Sequence, residues 1–142
     1  MNQYLFLHMT ARDGEAFRPE DDDIADWLET VVPTGISVIG ERLTEPEDAR
    51  RVVKRRGEVA VTNGPFAEFT EWFAGFDLIN APDIDTAAEI ASRHPTARFG
   101  QIIVAPLMDP VASNEWLEET VRTRSAAGLG AGEFLDRPDA TA

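Results

Sequence analysis

Two histidines, His8 and His94, are the only imidazoles in this 142-residue chain. Imidazole titrates near pH ~6.5, so either ring is a candidate general acid or base. His8 sits near the end of the first apolar run and is the candidate proton shuttle. A histidine there serves equally well as a hydrogen-bonded strut at a sheet edge or an interface, and both readings stand. His94 precedes Pro95 at an expected helix end, where a cation complements the dipole. Asn63, Glu68, Glu71 and Asp77 cluster in sequence around one turn. Two carboxylates in a closed cleft share acid and base duties when burial raises one pKa. Glu68 is the candidate partner of His8 in catalysis. Arg42 is the candidate anchor for an anionic group, and Asn63 and Asp77 are candidate substrate-binding residues. The plainer alternative is that Asn63 serves the turn while Glu68 and Glu71 are solvated or paired with arginine.

Other chemistries are excluded or weakly signalled. The chain has no cysteine, which removes disulfides, thiolate nucleophiles and thiolate–metal sites. His8 and His94 lack the short spacing of metal-ligating pairs, so no metal site is expected. No Gly-rich phosphate loop or nucleophile elbow occurs, and no cofactor is called for. Thirteen basic against 26 acidic residues give a net charge of −13. That balance opposes non-specific binding to nucleic acid or an anionic membrane. Arg50, Arg51, Lys54, Arg55 and Arg56 put five basic residues within seven positions. Strand alternation splits them between two faces, and charges on a hairpin edge discourage edge-to-edge association. No apolar run approaches the ~20 residues of a membrane span, and the N-terminus lacks a basic n-region. A cytoplasmic location is the expectation.

The elements that must position these residues can be read from periodicity. Residues 3–9 alternate as a strand, with Leu5, Leu7 and Met9 on one face and Tyr4, Phe6 and His8 on the other. A helix is expected from about Glu20 to Val32, with Ile24, Trp27, Leu28 and Val31 as its buried stripe. Ile36–Ile39 is a short strand ending at Gly40. Arg50–Lys54 and Glu58–Thr62 pair as a hairpin, and 73–80 is a further strand. Asp83 caps a second helix over 84–93 with Ile84, Ala87, Ala88 and Ala91 inward, and 101–105 is the last strand. Residues 112–125 are expected to form an extra helix, followed by a mobile tail from Gly128.

The order is β-α-β, a hairpin excursion, then β-α-β. This is the split-βαβ, ferredoxin-like arrangement, an α+β fold with a four-stranded antiparallel sheet and two helices on one face. The expected organisation is a domain over 1–108 and a C-terminal extension over 109–142. Two helices cover only one face of the sheet, and Tyr4, Phe6 and Ile79 are assigned here to the opposite one. Each large apolar side chain left in water forgoes about 1.5–3 kcal/mol. Packing two copies sheet to sheet removes that cost, so a homodimer is expected.

The segment Val61-Thr62-Asn63-Gly64-Pro65-Phe66-Ala67-Glu68, then Glu71, then Gly75-Phe76, resembles the DGPF signature of the YCII-related domain family. Gly40-Glu41-Arg42-Leu43 is similar to the Gly-x-x-Leu that follows the family's second strand, and Ala81–Ala91 and Val104-Ala105-Pro106 are similar to its second helix and closing strand. The resemblance spans roughly residues 2–107. It implies a dimeric ferredoxin-like fold of the α/β-barrel type, with a small molecule bound in a cleft. For relatives, a muconolactone-isomerase-like role has been inferred from a His and an Asp in a cleft. The implied activity is therefore a cofactor-independent isomerase or lyase. The alternative is a non-catalytic interaction module associated with an alternative sigma factor. The chain departs from the motif at several points. Asn63 stands where Asp is usual, Phe69-Thr70 where Thr-Lys is common, Ala105 where Arg often precedes the final proline, and His94 where some relatives carry an Asp.

Overall fold

The computed structural model describes residues 2–108. The expected helix over 112–125 and the tail lie outside the described residues. The chain divides into two compact units. Of the described residues, the first holds 2–52 and 60–107, and the second holds 53–59 and 108.

The first unit is built on one four-stranded sheet. Its strands are β1 (Asn2–Met9), β2 (Ser37–Arg42), β5 (Phe73–Ala81) and β6 (Gln101–Pro106), in the order β2-β5-β1-β6. Each neighbouring pair is antiparallel. Helix α1 (Ile24–Val31) joins β1 to β2, and α2 (Ile84–Ser92) with the one-turn α3 (Thr96–Phe99) joins β5 to β6. The architecture is α+β and compatible with a ferredoxin-like split βαβ. A two-stranded hairpin, β3 (Arg50–Arg55) and β4 (Glu58–Asn63), is inserted between β2 and β5. Its turn is Arg56-Gly57, with φ of +52° and +81°. Two consecutive positive φ angles match the right-handed twist of the strands, and glycine takes the second without strain.

Helix α1 begins later than the periodicity of its first residues suggests. A short 3-10 turn occupies Pro19–Asp21, and Asp22 leaves the helical region at φ −88° and ψ 87°. Four successive carboxylates, Glu20 to Asp23, repel one another in a single turn, which offsets what the dipole offers. At α2, Asp83 accepts the Thr86 N–H at 2.7 Å, which caps the helix and holds its carboxyl below the usual range.

The core lies between the helices and one face of the sheet. Tyr4, Phe6, Ile79 and Ala81 from the strands meet Trp27 and Val31 of α1 and Ala87 and Ala91 of α2. This corrects the face assignment made from the sequence. Tyr4, Phe6 and Ile79 are covered by the helices, and Phe6 and Ile79 are fully buried. Alternation says which residues share a face, but both faces of β1 are apolar, so it cannot say which face is covered. The open face carries Leu5, Leu7, Phe76 and Leu78, all half-buried, with Ile39 and Ile103 exposed beside them. Trp27 ties the two helices together, because its indole N–H donates to the Ile90 carbonyl at 3.0 Å.

Candidate functional site

Three residues far apart in sequence meet on the helix-covered face. β1 presents Tyr4, Phe6 and His8 inward, and β5 presents Asp77, Ile79 and Ala81. The apolar members build the core, and the polar members, at one end of the strands, meet each other. His8 Nε2 lies 2.5 Å from Asp77 Oδ2, with both side chains at least nine-tenths buried. Two such atoms approach this closely only with one hydrogen between them. His94, in the link between α2 and α3, stacks on the His8 ring with centroids 4.2 Å apart. Trp27 meets the His94 ring edge-on at 4.7 Å.

Gly40 explains how a carboxylate fits here. β2 pairs Gly40 with Asp77 and Arg42 with Gly75, so Gly40 and Arg42 share the face of the Asp77 side chain. A Cβ on Gly40 would collide with Asp77 Oδ1. The glycine thus leaves the room that the carboxyl group occupies. A Cβ on Gly75 would likewise press on the Glu41 carbonyl oxygen.

The cluster opens into a cavity of about 630 Å³, within the range of small-molecule sites. Trp27, Phe17, Phe99, Trp72 and Phe73 supply aromatic wall, and Arg42 is the one Lys or Arg among the described lining residues. Trp72 is fixed to β1's continuation by two bonds. Its backbone N–H donates to Thr10 Oγ1 and its carbonyl accepts the Thr10 N–H, each at 2.8 Å. Phe66, buried in the signature turn, backs Trp72 at 5.7 Å between centroids.

Burial and the neighbouring His8 push the His94 imidazole down from 6.5 to about 4, although Asp77 pulls the other way. His94 is therefore neutral at pH 7. Its Nδ1 accepts the Thr96 backbone N–H at 3.0 Å, so the ring hydrogen sits on Nε2. The sequence-based role for His94 as a cation at a helix end is corrected accordingly. The same bond bears on metal binding. His8, Asp77 and His94 offer ligand atoms within 4.8 Å of one another. Ligation through His94 Nε2, however, would require the hydrogen held there to leave. The residues do not fit a metal in the arrangement seen.

The residues singled out from sequence divide into two groups. His8, Asp77 and Arg42 line the cavity together. Glu68 and Asn63 do not line it and are exposed. Glu68 lies 3.9 Å from Arg51 at the surface, and Asn63 ends β4. Gly64 packs its α-carbon against the Pro46 carbonyl and donates its N–H to the Ala49 carbonyl at 3.0 Å. Glu71 accepts a hydrogen bond from Gln101 Nε2 at 2.7 Å. What sequence reasoning missed is the Asp77–His8–His94 contact. The missing step was pairing of β1 with β5, which brings Phe6 opposite Asp77 and His8 opposite Gly75.

The sequence profile of the YCII-related domain matches residues 3–110. The chain belongs to the YCII-related domain family. That match covers the sheet from residue 3 onward, helices α1, α2 and α3, and the residues that line the cavity. No curated protein matches the chain. No helix among the described residues is long and apolar enough to cross a membrane.

Proposed function

We propose that this YCII-related protein, of the DGPF type, binds a small anionic molecule in the cavity and moves a proton on it without a cofactor, as an isomerase or lyase. The observation that carries the reading is the buried His8–Asp77 pair at the floor of an aromatic-walled cavity. Buried titratable pairs concentrate at functional sites because burial costs stability that a purely structural core avoids. His8 holds Asp77 Oδ2 through the shared hydrogen, and Oδ1 takes no hydrogen bond among the described residues. In this reading Asp77 exchanges a proton with substrate, His8 steadies the carboxyl group, and Arg42 neutralises the substrate's charge. Glu68 has no part in the chemistry. A cavity of this size favours ligand binding over a purely regulatory module, whose cleft would be filled.

The assembly is proposed as a homodimer through the open sheet face. Ile39 and Ile103 are about half exposed there beside Leu5, Leu7, Phe76 and Leu78, and a second copy would cover them. Sedimentation at micromolar concentration checks this: a dimer is expected, and a stable monomer counts against it.

The cavity reading is tested by thermal-shift screening of small carbonyl-bearing carboxylates. A ligand at ~100 times its Kd adds about 2.7 kcal/mol. Hits are expected for the wild type, are weakened in Arg42→Ala, and change in strength in Asp77→Asn, which removes a negative charge from beside the ligand. Hits that persist unchanged in both variants place binding elsewhere.

A further inference from the structure

His94 Nε2–H is a donor with no acceptor in reach among the described residues. The Thr96 N–H occupies Nδ1. Asp77 Oδ2, at 4.0 Å from Nε2, is beyond hydrogen-bond reach. The ring cannot readily turn away, because it is stacked on His8 on one side and meets Trp27 edge-on. The side chain is one-tenth exposed and lines the cavity. An N–H that lines a cavity and has no protein acceptor is free to donate to a ligand oxygen there. The hydrogen is also not readily lost, since a neutral imidazole N–H is a very weak acid. Burial keeps the ring from gaining a second proton until about pH 4.

We propose that His94 is a neutral N–H donor to a ligand oxygen, and that the cleft therefore takes carbonyl compounds. The carbonyl oxygen accepts the Nε2 hydrogen while the carbon next to the carbonyl lies over Asp77. This rests on the proton-transfer reading above for its second half. The step balances without an oxidant or reductant. The C–H proton passes to the Asp77 carboxylate, and its electron pair becomes the C=C bond of an enolate. The negative oxygen so formed is held by His94. Return of the proton to a different carbon completes an isomerisation. A neutral donor suits this step because it steadies the enolate without protonating it. Arg42 stands two residues from Gly40 along β2, roughly 7 Å away. A carboxylate a few bonds from the reacting carbon spans that distance.

The test uses the full chain with ¹⁵N-labelled histidine, and phenylpyruvate as probe. Phenylpyruvate joins an acidic CH₂, a carbonyl, a carboxylate and a ring. Long-range ¹H–¹⁵N spectra report the tautomer. The expected result is a bare Nδ1 and a protonated Nε2 at His94 from pH 8 to pH 5. An Nδ1–H tautomer, or a charged ring at pH 7, overturns the proposal whatever the protein's activity. Solvent deuterium uptake into phenylpyruvate then tests the role. His94→Ala is expected to lower kcat about 100-fold, as for loss of one oxyanion donor, with KM little changed. His94→Gln, which keeps an N–H, is expected to recover part of it. Uptake by His94→Ala equal to wild type overturns the donor role. If the wild type gives no uptake, proton transfer to this class fails. The donor proposal is then decided by the His94 Nε2–H resonance on adding phenylpyruvate: a shift supports it, and no shift overturns it.

Discussion

Two carboxylates stand out in the sequence, and the fold treats them in opposite ways. Asp77 is on β5, facing the helices, and its side chain is one-tenth exposed against His8. Glu68 is in the signature turn, with its side chain more than half exposed and Arg51 at 3.9 Å. A solvated pair of that kind contributes about 0–1 kcal/mol. The buried pair stands in a low-dielectric setting where loss of either partner leaves a polar group unpaired. Proximity in sequence to a conspicuous turn is thus a poor guide to burial. Position on a strand, and what the paired strand brings opposite, decides which carboxylate is set apart from water.

The contrast can be broken or sharpened by substitution. The turn should matter to stability through its apolar residue. Phe66→Ala removes the ring behind Trp72, and a loss of about 3–5 kcal/mol is expected in urea unfolding. A loss below ~1 kcal/mol would mean that the turn does not support the aromatic wall. Gly40→Ala places a methyl group where Asp77 Oδ1 stands and should cost about 1–3 kcal/mol, with ligand-induced thermal shifts lost as well. Unchanged shifts would show that Asp77 need not stand where it does.

Acid should act on the buried side of the comparison. His94 titrates at about 4 in the native protein, against 6.5 for the free side chain. As pH falls from 6.5 towards 4, the unfolded chain binds a proton that the native state refuses, so stability falls. The expected loss is on the order of 1–3 kcal/mol, absent from His94→Gln. Unfolding at pH 7 and pH 4.5 for both proteins checks it, and parallel curves would contradict it. Glu68→Gln should be the smallest effect, within about 0.5 kcal/mol in stability and without effect on ligand binding.

Much of the fold was legible because it rests on local periodicity. The strand at 3–9, the Asp83 cap and the hairpin over 50–62 follow from alternation and turn chemistry, and among the described residues the strands, α1 and α2 lie within a few residues of expectation, whereas α3 was not expected. The covered face of β1 was not legible. Leu5 and Leu7 are as apolar as Tyr4 and Phe6, and only docking of Trp27 and Val31 decides between them. The candidate site was legible as single residues but not as a constellation. His8, Asp77 and Arg42 were each singled out, yet nothing local says that residues 69 positions apart share a hydrogen. His94 was read through its helix end, whereas the Thr96 N–H and burial fix its chemistry.

The most direct test of the central claim is solvent deuterium uptake by phenylpyruvate, measured side by side for wild type, Glu68→Gln and Asp77→Asn. Uptake at the wild-type rate in Glu68→Gln, with a fall to the uncatalysed rate in folded Asp77→Asn, is the predicted result. Uptake that survives in Asp77→Asn but disappears in Glu68→Gln would move the chemistry back to the turn and contradict the account.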